Sequence, residues 1–382
     1  MKILQVTNLF APVHGGIAEA TYQLTNQLVK KGHEVTLYTS DFKLSQKYIS
    51  SIPEVKVHTF KTWLSLANFL VTPGIIKRAK EEIRYFDTIH MNNYRTFQNI
   101  IVQYYATRYG VPYILQAHGG VLPIFQKQHL KRTFDTLFGY RILRKASKVI
   151  AGTESEVGEY KEMGIKQPEI VLIPPFYNIE EFSQLPPLGQ FRRKFNIKEK
   201  YIILFLGRIH QIKGIRFLVE SFHQLRQQRE DIILAIVGPD QGYKSTLEEL
   251  INRLGLSGKV LFTGLLSGMD KLSALVDAVM LVQTSTYERG PGSPFEAILS
   301  GTPVIITKDT GAGEIVSKLD GGYLVEYGNI PALMDLMQKI LDDPTDIRNK
   351  TQKTRQHIMT NLSWQTGVEK YEKLYESLTQ NK

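Results

Sequence analysis

The sequence predicts an α/β protein made of two doubly wound, parallel-sheet domains facing a central cleft. Three observations carry this. Apolar runs of strand length alternate with stretches of helix length from Lys2 to Ile173. Two proline pairs, Pro174–Pro175 and Pro186–Pro187, then interrupt the chain, and the same rhythm restarts at Tyr201. A length of 382 residues suits two domains of ordinary size.

The elements follow in order. Lys2–Thr7 reads as a first strand and Asn8–Gly16 as a loop holding His14-Gly15-Gly16. Ile17–Lys31 is a helix stopped by Gly32, and Glu34–Thr39 is the second strand. The loop lacks the full G-x-G-x-x-G of a dinucleotide site. Its glycine pair lets the backbone approach a ligand closely, and equally suits a plain turn. Val55–Phe60 is a third strand, and Trp63–Glu82 is an amphipathic segment interrupted at Pro73–Gly74. Thr88–Met91 is a strand ending near His90, Ile100–Tyr109 a helix, and Tyr113–Ala117 a strand running into His118-Gly119-Gly120. Leu130–Ala146 is a basic helix, with strands at Lys148–Ala151 and Ile170–Ile173. Together these fill an N-terminal Rossmann-like domain over residues 1–180.

The second domain, residues 188–365, opens with the strand Tyr201–Leu206 and Gly207-Arg208. The helix Ile215–Gln228, the strand Ile232–Val237 into Gly238, the helix Ser245–Leu254 and the strand Lys259–Thr263 follow. Next come the strand Ala278–Val282, a loop to Pro294, the helix Pro294–Ser300 and the strand Val304–Ile306. A Gly313–Glu314 turn, the strand Tyr323–Val325 and the helix Ile330–Leu341 complete the domain. A last helix, Gly367–Leu378, comes after Trp364.

Residues 277–306 carry the most chemistry. Ser293 fits an N-cap, Pro294 the first helical position, and Glu296 follows the cap by three. Amides of Phe295, Glu296 and Ala297 at that positive helix end favour a phosphate. Glu288 lies on the loop before the helix, so two carboxylates flank the anion site, as hydroxyl recognition requires. The same residues also read as a capping box and a solvated loop charge. Gly207-Arg208 and Lys213-Gly214 follow a strand end, where a guanidinium and an ammonium suit a diphosphate. Two solvated loop charges are the plainer alternative.

His118, between a strand and two glycines, holds an active-site position. His90 is either a site residue or a packed one, and His33 closes a helix and caps its carbonyls. No H-x3-H spacing appears, so no metal is expected. The chain has no Cys, which excludes disulfides, thiolate nucleophiles and Cys-based metal sites.

Net charge is +10, and the excess sits early: 22 basic against 15 acidic residues up to Glu181, then 25 against 22. This points to an anionic partner. Gln126–Lys148 carries Lys127, Lys131, Arg132, Arg141, Arg144, Lys145 and Lys148 against the single acid Asp135. Leu130, Phe134, Phe138 and Ile142 recur every four residues on the same helix. Trp63–Lys80 repeats the combination, with Trp63 and leucines before Lys77, Arg78 and Lys80. Such segments suit an anionic membrane surface, at about 1 kcal/mol per basic residue. The competing reading is a sheet-covering stripe with a charged outer face. No run approaches the ~20 apolar residues of a span, and Met1–Phe10 lacks a signal-peptide pattern. The expectation is a cytoplasmic protein, peripheral on the inner face of the cell membrane.

The ordered set of motifs resembles the retaining GT-B glycosyltransferases of glycosyltransferase family 4. The set is Gly207-Arg208, Lys213-Gly214, Val237-Gly238, Phe262-x-Gly264, Glu288-x7-Glu296-Ala297 and Gly301-Thr302-Pro303-Val304-Ile305. His14-Gly15-Gly16, Lys31-Gly32-His33-Glu34-Val35 and His118-Gly119 agree in the first half. Leu362-Ser363-Trp364 and the helix after it look like the family's closing helix, so residues 366–382 are expected to rejoin the first domain.

The resemblance implies a UDP- or GDP-linked sugar donor bound mainly by the second domain. Arg208 and Lys213 would neutralise the diphosphate, Glu296 would bind ribose, and Glu288 the donor sugar. His118 would lie near the sugar from the first domain. Gly15, Gly16, Gly207, Gly238, Phe295 and Ala297 would line the donor. No cofactor is implied. The acceptor would be lipid-linked, saccharide or another glycan, in cell-envelope glycan or glycolipid synthesis. Glu288-Arg289-Gly290-Pro291 departs from the family's E-G-F-G, and Pro174-Pro175-Phe176-Tyr177-Asn178 from its Asn-Gly hinge. Sugar identity is therefore not carried over. A GT-B-fold sugar-nucleotide epimerase is the rival of the same fold, and would need several acid/base groups around the sugar. A non-catalytic nucleotide-sugar-binding protein would not need Arg208, Lys213, Glu288 and Glu296 together. A nucleic-acid binder lacks any recognition motif here.

Overall fold

The computed structural model describes residues 1–11, 15–66, 69–124, 127–290 and 292–380. His14 and Pro291 lie outside the described residues. The chain forms two compact units. One is Met1–Tyr177 with Leu362–Lys382, and the other is Asn178–Asn361.

The first unit holds strands β1 (Lys2–Val6), β2 (Glu34–Ser40), β3 (Lys56–Phe60), β4 (Leu64–Leu66), β5 (Phe69–Val71), β6 (Thr88–Asn92), β7 (Tyr113–Gln116), β8 (Lys148–Ala151) and β9 (Ile170–Leu172). Seven of them form a sheet in the order β3-β2-β1-β6-β7-β8-β9. Its pairings are parallel throughout, from β2–β3 to β8–β9. The central strands are buried on both faces: Ile3, Leu4, Gln5 and Val6 are all inaccessible. That burial explains why parallel strands read as unbroken apolar runs. The chain steps outward from β1 to β3, then resumes on β1's other side at β6. The sheet therefore reverses between β1 and β6, and open α/β sheets bind ligands beyond the strand ends at such a point.

The second unit holds β10 (Tyr201–Leu206), β11 (Ile232–Val237), β12 (Val260–Gly264), β13 (Met280–Gln283), β14 (Val304–Thr307) and β15 (Tyr323–Val325). Its parallel sheet runs β12-β11-β10-β13-β14-β15. The reversal falls between β10 and β13. The loops leaving these two neighbours carry Arg208 and Lys213 on one side and Glu288 on the other.

The α/β class with two parallel sheets is as the alternation predicts. One segment that the sequence left undivided is resolved here, and two local readings need correction. The segment before Pro73 is not helical: β4 and β5 pair antiparallel, and the helix Gly74–Glu82 begins only after Pro73. Two short strands satisfy each other's backbone groups, and Pro73 starts the helix where its fixed φ suits. The basic helix is not uniform. It runs α over Gln128–Phe134, π over Asp135–Gly139, and α over Tyr140–Lys145. At Gly139 an added Cβ would lie 2.4 Å from the Tyr94 hydroxyl and 2.7 Å from Asp135 Oδ1. The wide turn rotates the later residues, so the four-residue stripe splits. Leu130 is 68 % exposed whereas Ile142 is 1 % exposed. Finally, Gly313–Glu314 is no turn but part of the helix Gly311–Lys318. Thr310 caps it, accepting from the Gly313 amide at 3.0 Å. The glycines disguised this helix and serve close packing. A Cβ on Gly311 would sit 2.9 Å from the Glu288 carbonyl oxygen.

The closing helix, Trp364–Thr379, packs within the first unit. A Cβ on Gly367 would come within 2.4 Å of the Phe176 ring, so only glycine lets the helix approach this closely. His33 does not cap its helix's carbonyls. Its Nε2 meets Glu372 of the closing helix at 2.8 Å.

Candidate active site

Within the second unit, the β10 and β13 loops interlock through the backbone. The Thr286 amide donates to the Ile212 carbonyl at 2.9 Å, and Thr284 Oγ1 to the Gly214 carbonyl at 3.0 Å. Gly214 sits at φ +62, and a Cβ there would lie 1.9 Å from the Thr284 carbonyl oxygen. This close pass puts Lys213 against the Glu288 carboxylate, and the two form an ion pair. Gln283 and Ser285 lie 3.4 Å from the same carboxylate oxygen. Gln283 Oε1 also accepts from Ser293 Oγ at 3.3 Å, and the Gly311 amide donates to the Glu288 carbonyl at 2.6 Å. Arg208 Nη1 donates to Gln241 Oε1 at 2.8 Å. Gly207 and Gly238 are packed on each other. At φ +148 a Cβ on Gly238 would fall 1.8 Å from the Gly207 carbonyl oxygen.

The helix expected to start at Pro294 spans Gly292–Leu299. Ser293 is therefore inside it, not its N-cap. Amides without an intrahelical acceptor fall within the first four positions of a helix. The anion-facing end is thus at Gly292 and Ser293, and the Glu296 and Ala297 amides belong to the helical ladder. The capping-box reading of Glu296 loses its geometry with the cap. Phe295 is wholly buried and serves the core. Glu296 Oε1 accepts from Lys271 Nζ at 3.2 Å, and Lys271 also meets Glu181 Oε1 at 3.0 Å. Burial opposes the charge on Lys271, yet the carboxylates of Glu296 and Glu181 outweigh it and raise its pKa.

In the first unit, His118 closes the loop after β7 in the left-handed region, at φ +51. Its Nε2 lies 3.0 Å from Asn92 Oδ1. Burial lowers its pKa to about 4, so it is neutral at pH 7. The Glu156 carboxylate accepts the Gly119 amide at 2.7 Å and the Gly152 amide at 2.8 Å. Arg95 donates to the Gly120 and Val121 carbonyls at 2.6 and 2.9 Å while gripping Asp135 at both oxygens. The loop is thus held from two sides. Gly15, at φ +79, and Gly16 begin the helix Gly16–Lys30, and an added Cβ would meet nothing within 4 Å of either. His90 is a core residue, wholly buried against Tyr375.

Two segments far apart in sequence meet on this unit. The Phe69 ring of the β4–β5 hairpin packs edge-on against Phe134, with centroids 6.0 Å apart. Beside this contact Trp63 is 74 % exposed, and Leu64, Leu66, Leu137 and Phe138 are exposed too. Arg132, Arg144, Lys145 and Lys77 are exposed, and the half-buried Arg78 pairs with Glu82 at 2.8 Å. Lys131 departs from expectation. It turns inward and donates to the Ile124 carbonyl at 2.6 Å, and burial lowers its pKa.

Sequence reasoning missed Asn92, Glu156, Gln241, Lys271 and Gln283. For most of them a partner is distant in sequence, as with Lys271 and Glu296, 25 positions apart, whereas Gln283 binds Glu288 only five positions on. Among the described residues no group of three His, Asp or Glu is arranged to hold a metal ion.

Two family models match the chain. "Glycosyl transferases group 1" matches residues 189–358, and "Glycosyltransferase Family 4" matches residues 14–181. A 2-deoxystreptamine glucosyltransferase of Streptomyces kanamyceticus is 27 % identical over 62 % of this chain, which spans 63 % of that protein, just under two thirds. An N-acetyl-alpha-D-glucosaminyl L-malate synthase of Bacillus anthracis is 22 % identical over 95 % of this chain and 94 % of its own length. The crystal structure of HepE from Anabaena in complex with UDP-glucose matches with a TM-score of 0.81 at 19 % identity, covering 99 % of this chain and all of that one.

Proposed function

The chain belongs to the group 1, family 4 glycosyltransferases, and from that membership we propose that it transfers a sugar, with retention, from a UDP- or GDP-linked donor to a saccharide or lipid-linked glycan acceptor. The observation that carries this is the placement of Arg208 and of the Lys213–Glu288 pair on the loops that leave β10 and β13, at the reversal of the second sheet. Two cations there neutralise the diphosphate, and Gly292–Ser293 at the helix start adds dipole and amides. Glu296, held by Lys271, accepts from ribose hydroxyls. Glu288 receives sugar hydroxyls, with His118 serving the sugar from the first unit. Gly15 and Gly16 leave the backbone unshielded for a close ligand, and Gly207 and Gly238, packed on each other, set the strand-end loops beside the donor.

The chemistry is departure of the nucleoside diphosphate, whose developing charge Arg208 and Lys213 stabilise. The acceptor attacks the same face, and the leaving phosphate takes its proton. No protein nucleophile, cofactor or metal is required. The relatives named above support this reading, since two are named for glycosyl transfer or synthesis and one was solved with UDP-glucose.

A thermal-shift panel of nucleoside diphosphates and nucleotide sugars tests it. A bound ligand at 100 times its Kd stabilises by about 2.7 kcal/mol. Glu296→Gln is expected to lower nucleotide affinity roughly tenfold, the loss of one charge-assisted hydrogen bond. It should leave the melting temperature without ligand nearly unchanged. No shift with any nucleotide, or a lower melting temperature with unchanged affinity, defeats the assignment.

The acceptor side is proposed to rest on an anionic membrane. Phe69 of β5 meets Phe134 of the helical segment 128–145, which also bears the exposed Leu137 and Phe138 and the exposed cations Arg132, Arg144 and Lys145. No helix of the described residues is long and apolar enough to cross a membrane, so contact would be at the surface. Vesicles of 30 % phosphatidylserine in phosphatidylcholine should co-sediment the protein, and salt should release it because surface charges are screened within about 8 Å. Replacing Arg132, Arg144 and Lys145 by Ser should abolish binding, whereas Lys131→Ser should do little by this route. Absence of sedimentation at low salt favours a soluble acceptor.

A further inference from the structure

Polar side chains at the ends of the first sheet's central strands form one buried row. Gln5 on β1 and His90 and Asn92 on β6 are nearly inaccessible, and Tyr375 of the closing helix reaches into the row. The Tyr375 hydroxyl lies 2.7 Å from His90 Nδ1 and 3.5 Å from Gln5 Nε2. Asn92 Nδ2 donates to Gln5 Oε1 at 3.1 Å and to the Val6 carbonyl at 3.4 Å, and Asn92 Oδ1 faces His118 Nε2 at 3.0 Å.

The Val6 carbonyl gives the row its sense, while the shorter bond to the Gln5 oxygen, 3.1 Å against 3.4 Å, supplies most of the hold on Asn92. The Val6 carbonyl can only accept, so the Asn92 atom facing it is the NH2 group. The Asn92 oxygen therefore faces His118, and a carboxamide oxygen can only accept. His118 Nε2 must carry the proton, which leaves Nδ1 of the neutral ring bare. The opposite tautomer would turn the Asn92 oxygen toward the Val6 carbonyl and the Gln5 oxygen, acceptor against acceptor. With its oxygen taken by Asn92, Gln5 directs its NH2 group to the Tyr375 oxygen. The Tyr375 hydrogen then goes to His90 Nδ1. Buried polar groups without partners cost more than such bonds gain, so each member holds the next.

We propose that Tyr375 is a positioning residue which, through Gln5 and Asn92, fixes His118 as the Nε2–H tautomer and keeps Nδ1 as a hydrogen-bond acceptor for a donor-sugar hydroxyl. The proposal rests on the reading of His118 as a donor-side residue. It accounts for amides buried in a connected row at the ends of the central strands. It also gives the closing helix a part in the reaction beyond packing. The His118 backbone is fixed by Glu156 and Arg95 from the loop side, and its ring is fixed by this row from the sheet side. Tyr371 supports the same face, stacking on His90 at 5.8 Å and placing its hydroxyl 3.4 Å from Gln116 Oε1.

Long-range proton–nitrogen NMR on histidine-labelled protein at pH 7 reads the tautomer directly, with His118→Gln identifying the signal. The wild type should show a single neutral ring protonated at Nε2. Tyr375→Phe keeps the ring packing and removes only the hydroxyl. It should give mixed tautomers at His118 and at least a tenfold fall in kcat, with donor KM within twofold. Asn92→Leu should do the same, and serves if the tyrosine variant does not fold. An Nδ1–H ring or an imidazolium in the wild type overturns the proposal. So does a wild-type spectrum of His118 in both folded variants. Wild-type turnover in His118→Gln would instead remove His118 from the reaction, and the spectra would still decide the tautomer.

Discussion

Lys213→Ala lowers kcat/KM for the nucleotide-sugar donor by roughly 10²–10³-fold, and Arg208→Ala by a similar factor. Removing one preorganised donor to a developing oxyanion costs about 2.7–4 kcal/mol of transition-state stabilisation. The leaving diphosphate gains charge in the transition state, and these two cations are the basic side chains placed at the strand-end reversal. Lys213 has a second task. Without it, the Glu288 carboxylate keeps only Gln283 and Ser285, each at 3.4 Å. Lys213→Ala and Glu288→Gln should therefore be less than additive, because contacting residues share one interaction. Calorimetry adds a sharper criterion. Both cation variants should lose more affinity for a nucleoside diphosphate than for the monophosphate. Equal losses for the two ligands would show that the cations do not face the second phosphate.

Gly214→Ala is expected to destabilise the second unit strongly. The backbone there is left-handed, and the new Cβ would fall 1.9 Å from the Thr284 carbonyl oxygen and 2.9 Å from Tyr327. The half-exposed Tyr327 ring can turn away, but the Thr284 carbonyl cannot step aside without parting the two loops. Strain of this kind costs on the order of 1–3 kcal/mol, and the lost loop contacts add to it. For a unit of this size, melting should fall by about 2–4 °C for each kcal/mol. Gly242→Ala is the matched control. It has φ +86 but open space around its Cβ, so it reports backbone strain alone. Gly214→Ala should also cost activity, since parting the loops separates Lys213 from Glu288. Equal melting temperatures for the two variants would mean that the β10 and β13 loops are not held by this close pass.

The alternation of strand and helix was legible because parallel strands buried on both faces leave continuous apolar runs, as in β10, YIILFL. The loops were legible because Gly207, Gly214 and Gly238 stand at strand ends where chains pass closely. What stayed hidden depends on partners remote in sequence. The π turn at Asp135–Gly139 follows from Tyr94 and Arg95, some forty residues earlier. The start of the helix at Gly292 could not be read either, since Ser293-Pro294 has the composition of a cap and a first turn. The helix at Gly311–Lys318 was masked by the two glycines that its packing demands. Among candidate site residues, types were readable but pairings were not. Glu296 was readable as a capping-box or hydroxyl-binding carboxylate, but its bond to Lys271 joins two helices with no pattern in common.

The closing helix has a consequence for how the molecule comes into being. The second unit, Asn178–Asn361, is one uninterrupted stretch of chain, whereas the first is split around it. Contacts such as Tyr375 with Gln5 and Glu372 with His33 span 370 and 339 positions. During synthesis, the earlier part of the first unit emerges long before the residues that seal it. Its seat for Trp364, Gly367 and Tyr375, including the Phe176 ring and the polar row, stays uncovered while the whole second unit is made. Domains fold as they emerge, and exposed apolar seats are where association with other chains begins. The second unit can reach its native form first, and the sheet of the first unit waits for the closing helix to be made.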